Sequence, residues 1–199
     1  AQIRLPRDVP RAQLDGWVRT VIDLLGLTQQ RHSVVGDATR RGLSGGQRKR
    51  VNIGLEVVAD PSLIFLDEPT SGLDSTAALE LSAALGRLAS YGVAVCAVIH
   101  QPRQALFDKL DRLILLSPNG RTVYVGPSAA AAAHFEALGF AFAPNENAAD
   151  QLLDVVSGAK ESSGVPVDEL AAKWNEFRLA SPPGPRPTER TGTPPGMAA

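Results

Sequence analysis

Leu43-Ser44-Gly45-Gly46-Gln47 and, one helix later, Leu63-Ile64-Phe65-Leu66-Asp67-Glu68-Pro69 decide how this chain reads. The first run puts small residues at the start of a helix, with Ser44 in N-cap position and Gly45 and Gly46 letting the backbone approach a ligand. The unpaired amides of such a first turn point at an anion, and the Ser44 hydroxyl can add a donor. The second run is an apolar strand that ends on two adjacent carboxylates. Asp67 lies twenty positions after Gln47, room for one helix and a return to a sheet. Together the runs offer amides for phosphate, one acid for Mg²⁺ and one for water, the needs of a nucleotide-hydrolysing site. A phosphate loop of the G-x-x-x-x-G-K-[ST] kind needs a Lys after a Gly. The lysines are Lys49, Lys109, Lys160 and Lys173, and none follows a glycine. The sequence therefore reads as half of such a site.

The elements around these runs alternate. Residues 1–12, with Pro6 and Pro10, read as loop. Residues 13–26 read as a helix with Leu14, Trp17, Val18, Val21, Ile22, Leu24 and Leu25 on a broad apolar stripe, and Trp17 as a packing residue. The helix over 44–59 carries too many apolar residues for a narrow stripe and is expected to be well buried. Leu63 to Leu66 reads as a strand covered on both faces. Ser75 to Ser90 is a helix, and 93–99 a second strand, so strand, helix and strand form a parallel βαβ unit. A helix at 103–109 leads to a third strand at 112–117, expected to join the same sheet. Asn119-Gly120 is a hairpin turn into 121–125. Helices follow at 128–138, 148–156 and 168–179. The expected division is a partial nucleotide-binding domain over 1–158, a helical extension over 159–180 and a Pro/Gly-rich disordered linker over 181–199.

Composition excludes several classes. With 199 residues, 44% hydrophobic and 21% charged, the chain can build a core. A net charge of −1 gives no basic field, so no nucleic-acid partner is expected. Cys96 is the only cysteine, which rules out an internal disulfide and fits a small core residue in a reducing setting. No apolar run approaches membrane-spanning length, so any membrane part is expected elsewhere. The N-terminus, Ala1-Gln2-Ile3-Arg4, reads as that of an excised piece.

The acids sit at the carboxyl end of a parallel strand, where open α/β sheets bind ligands. Asp67 suits Mg²⁺ held through water. Glu68 suits the acceptance of a proton from an attacking water, or its orientation. Neighbours on a strand point opposite ways, which would give the two acids separate jobs. Ser71-Gly72-Leu73-Asp74 follows as a turn, with Asp74 placed to cap the helix at 75. His100 ends the next strand, before Gln101-Pro102, and is expected near Glu68 and a γ-phosphate. His32 and His134 read as surface or packing residues. Cys/His metal spacing is absent.

In this order the motifs resemble the signature, Walker B, D-loop and switch histidine of an ATP-binding cassette (ABC) domain. Arg48-Lys49-Arg50-Val51-Asn52-Ile53-Gly54, Asp67 to Thr76, Ile99-His100-Gln101-Pro102, Val125-Gly126-Pro127 and Asn147 to Gly158 are similar to the G subfamily, the white–brown complex. The resemblance implies an α/β fold: a partial P-loop NTPase with a parallel sheet core, a piece of helical subdomain and a C-terminal β-hairpin. It implies ATP and Mg²⁺ as cofactors and a second nucleotide-binding domain as partner, in a homo- or heterodimer. That partner's Walker A loop would hold the ATP that Ser44, Gly45, Gly46 and Gln47 touch. Asp67 would serve Mg²⁺, Glu68 would be the catalytic base and His100 the γ-phosphate sensor. Ser71, Gly72, Leu73 and Asp74 would couple the two sites. It further implies a membrane domain in the same or a partner chain, a place on the cytoplasmic face of a membrane, and export of lipid-like or hydrophobic compounds. In one departure, the Walker A loop and the Q-loop Gln are absent. In another, the family's Asn-Pro-Ala-Asp-Phe stands here as Asn147-Ala148-Ala149-Asp150-Gln151, which leaves open how that element docks.

Two other readings remain on sequence grounds. A non-transport ABC ATPase would bind nucleic acid, against the net charge. A truncated, non-catalytic ABC module would not need Glu68 and His100.

Overall fold

The computed structural model describes residues 1–5, 9–36, 40, 42–160 and 165–180 of the chain. Pro6 and the expected linker over 181–199 lie outside the described residues. The chain divides after His100 into two units.

The first unit holds α1 (Arg11–Leu24), α2 (Gly45–Val57), β1 (Leu63–Asp67), α3 (Ser75–Tyr91) and β2 (Ala94–Val98). β1 and β2 pair in parallel, from Leu63 opposite Ala94 to Asp67 opposite Val98, and α3 makes the crossover and packs on β2. The core gathers Leu14, Trp17 and Val21 from α1, Ile53 and Val57 from α2, Ile64 from β1, and Leu81 and Leu88 from α3. Each such burial contributes about 1.5–3 kcal/mol. Trp17 is the packing residue the sequence implied, and its Nε1 donates to Val58 O at 3.0 Å, satisfying a carbonyl at the end of α2. Arg87 Nε donates to Leu24 O at 2.7 Å, a cation at the negative end of α1.

Three expectations for this unit need correction. β1 is covered on one face only: Ile64 is buried, while Leu63 is exposed and Phe65 is 75% exposed. A two-stranded sheet with its helix on one side leaves the other side bare, and Val98 of β2 shares that bare side. Cys96, opposite Phe65, is half-buried rather than a core residue for the same reason. α2 is one-sided rather than buried all round. Gly46, Arg50, Ile53 and Val57 are its buried residues, at spacings of three and four, and Leu55 faces solvent.

The second unit holds α4 (Gln104–Phe107), β3 (Arg112–Leu116), β4 (Thr122–Pro127), α5 (Ala131–Ala137), α6 (Ala148–Ser157) and α7 (Leu170–Ala180). The helix expected over 128–138 starts as a 3₁₀ turn at Ser128–Ala130, and α7 likewise follows a 3₁₀ turn at Val167–Glu169. β3 was expected to join the parallel pair. Among the described residues it pairs only with β4, antiparallel, through the Asn119-Gly120 turn. A short hairpin satisfies the strand's backbone at little loop-closure cost. The core is aromatic, built on Tyr124, Phe135, Phe140 and Trp174 with Leu152 and Val155 of α6.

His134 is a packing residue within it, its ring 5.3 Å from Tyr124, 5.4 Å from Trp174 and 5.1 Å from Phe177. Its Nε2 is buried and meets no hydrogen-bond partner among the described residues, and burial pushes the imidazole pKa below its ordinary value. A histidine depressed in the fold takes up its proton more readily when unfolded. Its stabilising share is therefore full above the unfolded pKa of about 6.5 and is lost as pH falls through that value towards the folded one. The thermal unfolding midpoint should drop on going from neutral to mildly acidic buffer. In His134→Phe this drop should be smaller, and an equal drop would show that other groups carry it.

Candidate functional site

The site begins at the N-terminus of α2. Ser44 is its N-cap: Gln47 N donates to Ser44 Oγ at 3.2 Å, and Ser44 N donates to Gln47 Oε1 at 2.9 Å, a reciprocal capping box. The box fixes the turn and leaves the Ser44 hydroxyl proton for an acceptor in front of it. It also engages the Gln47 carbonyl, so a ligand would meet the Gln47 amide nitrogen. A cleft of about 380 Å³ opens here, lined by Gly36, Arg40, Gly42, Leu43, Ser44, Gln47 and Arg48. Two guanidinium groups and a helix start are a fitting lining for an anion.

Gly45 and Gly46 are glycines for different reasons. A Cβ on Gly45 would come no closer than 3.9 Å to Leu73 Cδ2. A Cβ on Gly46 would stand 3.0 Å from the Ala77 Cβ of α3. Gly46 is thus a packing contact as well as a turn residue, which the sequence did not reveal.

The acids follow β1. Asp67 is the last strand residue, and Glu68 N still donates to Val98 O at 2.9 Å, one rung beyond the paired register. Glu68 then turns left-handed, with φ 41°. Alternation along a strand therefore does not divide the two acids, because Glu68 has already left the strand. A non-glycine residue held there costs about 1–2 kcal/mol and is worth a functional reading. Asp67, Glu68 and His100 are all exposed. Since β1 and β2 are parallel and Asp67 faces Val98, Glu68 and His100 leave the same rim of the sheet, as the βαβ reading required.

The turn after Glu68 closes by Ser71 N donating to Glu68 O at 3.1 Å, and Gly72 continues it at φ 72°. Asp74 caps α3, with Ala77 N donating to its Oδ1 at 2.8 Å. Sequence reasoning missed two residues of α2 that tie these parts together. Lys49 Nζ donates to Ser71 O at 2.6 Å and Glu68 O at 3.4 Å. Arg50, 5% exposed, pairs through Nη1 with Glu80 Oε2 at 2.9 Å. Both were legible only as part of a basic triplet. Their spacing from Gly46, one turn on, is the signal that places Lys49 over the turn before α3 and Arg50 over α3 itself.

Asp67 and Glu68 pair with no cation among the described residues, and no group of three or more His, Cys, Asp or Glu side chains gathers there. This donor set fits an ion that keeps most of its own water, as Mg²⁺ does.

In the second unit the departing motif docks by its retained Asn147 and its substituted Ala148 and Gln151. Asn147 caps α6 and donates through Nδ2 to Pro102 O at 2.8 Å. Ala148 N donates to Gln104 Oε1 at 2.9 Å, a bond a proline could not make. The buried Gln151 accepts from Ala143 N at 2.7 Å and donates to Ala143 O at 2.9 Å.

Comparison with known proteins identifies the family. A family model described as ABC transporter matches residues 4–71, and one described as ABC-2 type transporter matches residues 100–180. The chain is 45% identical over 177 residues to ABC transporter G family member 28 of Arabidopsis thaliana, covering 87% of this chain and 16% of that protein. It is 41% identical over 183 residues to member 1 from the same plant, covering 91% and 25%. With the ABC-type transporter claG of Penicillium crustosum it shares 44% over 157 residues, covering 79% and 21%. An ATP-binding cassette of an ABC transporter solved in its ADP conformation aligns with TM-score 0.49 at 22% identity, over 61% of this chain and 46% of that one. The fold class is a partial ABC ATPase, α/β with a small parallel sheet and an antiparallel hairpin. The chain belongs to the ABC transporter G family, the white–brown complex group, and carries part of its nucleotide-binding domain. It spans a quarter or less of the length of the three relatives named. No helix among the described residues is long and apolar enough to cross a membrane.

The glycine geometry predicts unequal alanine variants. Gly45→Ala should leave stability unchanged or raise it by up to about 1 kcal/mol through helix propensity. Gly46→Ala should be less stable than Gly45→Ala by about 1–3 kcal/mol, the cost of overpacking against Ala77. Chemical denaturation of both variants checks this, and equal stabilities would mean that α2 and α3 part freely.

Proposed function

We propose that this chain contributes the signature, Walker B, D-loop and switch elements of an ATP site whose hydrolysis drives transmembrane transport. The observation that carries the reading is the common rim: Glu68 and His100 follow the carboxyl ends of two paired parallel strands. The G-family relatives favour transport over a non-transport ABC ATPase. ATP would lie on the Walker A loop of a second nucleotide-binding domain, in a homo- or heterodimer. The Ser44 hydroxyl and the amides at Gly45 and Gly46 would donate to its γ-phosphate, with the Gln47 amide beside them. Asp67 would hold Mg²⁺ through water, and the metal would offset phosphate charge. Glu68 would take a proton from the attacking water, His100 would hydrogen-bond the γ-phosphate, and the turn from Ser71 through Gly72 and Leu73 to Asp74 would report one site's state to the other. A membrane domain in the same or a partner chain, with the ATPase on the cytoplasmic face, completes the proposal. Its cargo class is lipid-like or hydrophobic compounds.

Glu68→Gln in the assembled transporter keeps size and hydrogen bonding but removes the base. ATP binding should persist while turnover falls by about two decades or more. Normal turnover would move the base to another residue and would leave the non-catalytic reading of Glu68 standing.

The 199-residue chain alone presents only the γ-phosphate-facing side of the site together with two repelling acids. It should show no saturable ATPase activity and bind Mg·ATP at millimolar strength at best, about 4 kcal/mol. A partner domain with an intact Walker A loop should restore the contact, and Ser44→Arg should abolish it again. Calorimetry that finds micromolar Mg·ATP binding to the isolated chain would overturn this division of the site.

A further inference from the structure

We propose that Lys49 is a positioning residue for Glu68, tying the acid-bearing turn to the helix that begins at the signature residues. The inference rests on the reading of Glu68 as the group that activates water. The Lys49 ammonium bonds the carbonyls of Ser71 and Glu68, the two residues whose own hydrogen bond closes the turn. It thus fastens the turn as a unit rather than one side chain of it. An ammonium has three donors and can serve both carbonyls at once.

The arrangement grips the segment at both ends. At its start, Lys49 holds Glu68 and Ser71. At its end, Gly46 lies against Ala77, whose amide is held by the Asp74 cap. Gly46 and Lys49 stand one helical turn apart on α2, about 5 Å along its axis. A load on the Ser44–Gly46 turn therefore reaches the Glu68 backbone through a single turn of helix. Glu68 needs such a hold, because its left-handed backbone persists only where its surroundings over-determine it. Its other backbone anchors are the bond from Glu68 N to Val98 O and the turn bond from Ser71 N to Glu68 O, which Lys49 reinforces. The strand fixes one side of the residue, and Lys49 fixes the other.

The test reads both the tether and its consequence. In the 199-residue chain, Lys49→Met keeps the aliphatic stem and removes the donors. Hydrogen exchange at the Ser71 and Leu73 amides should quicken about tenfold while the amides of α2 keep their protection. Unchanged exchange in the turn would overturn the proposal. In the assembled transporter, Lys49→Met should lower kcat about tenfold with the KM for ATP altered less than twofold, the pattern of a misplaced catalytic group. Lys49→Arg, which keeps a cationic donor of several N–H groups, should recover most of the rate. Adding Lys49→Met to Glu68→Gln should produce no further loss, because both changes act on one carboxylate. A raised KM with unchanged kcat, or losses that multiply in the double variant, would show that Lys49 acts on something else. If Lys49→Met does not fold, Lys49→Gln carries the same comparison. Normal turnover in Glu68→Gln would sink the assignment of the base, whereas an inactive Glu68→Gln beside a fully active Lys49→Met would sink only the role of Lys49.

Discussion

The missing side chain at Gly46 is the constraint on which the first unit depends. A Cβ there would stand 3.0 Å from the Ala77 Cβ, so α2 and α3 would have to part by a few tenths of an ångström. Because the helices touch at Gly46, Lys49 meets the turn after β1 and Arg50 meets Glu80. Arg50 lies within the buried face of α2, between Gly46 and Ile53, where an apolar residue would be the ordinary choice. A guanidinium in that place is costly unless paired, and Glu80, half in solvent, supplies a charge-assisted bond without itself being desolvated. The pair fixes how α2 sits along α3, which is also what sets Lys49 over its two carbonyls.

Strain and support occur side by side at the rim. Glu68 carries a backbone conformation that most residues avoid, and Gln101, just after His100, carries the same one. At Glu68 the support is visible in full: a rung to β2, a turn bond from Ser71 and the lysine of α2. An exposed carboxylate on a rigid backbone suits a base that must meet water in one place. The unstrained alternative, a strand continued through Glu68, would carry the acid along β1 instead of turning it out at the sheet's end.

Much of this was legible in the sequence. Ser44 spelled the cap of α2, Asp74 the cap of α3, and Asn119-Gly120 the hairpin, because each is a local bond with a fixed offset. The parallel pairing of β1 and β2 followed from connection length. What failed was information that depends on neighbours. Leu63-Ile64-Phe65-Leu66 reads the same whether one face or two is covered, and here Phe65 stays bare. The run at 112–116 had the composition of a sheet strand but no label for its partner, and the nearer β4 took it. Lys49 and Arg50 looked alike within a basic triplet, yet one reaches a backbone turn and the other buries its guanidinium against the half-exposed Glu80 carboxylate, a difference made by about 100° of helix rotation.

The altered motif at Asn147–Gln151 is held by bonds that its substituted residues make. A proline at 148 would pre-set the helix start but offer no N–H; alanine gives one, and Gln104 accepts it while its amide nitrogen holds Asp108. A phenylalanine at 151 would dock by area alone. Glutamine, equally buried, instead mimics a strand neighbour, exchanging two bonds with the backbone of Ala143 and receiving a third from Lys160. Lys160 in turn lies 4.8 Å over the Phe142 ring. The buried amide thus makes three of its four possible hydrogen bonds, each adding about 0.5–1.5 kcal/mol, so that together they rival the burial of an aromatic ring. The two substitutions act on different partners, Gln104 ahead of α6 and Ala143 beside it, and together they hold the helix at both the point and the angle of entry.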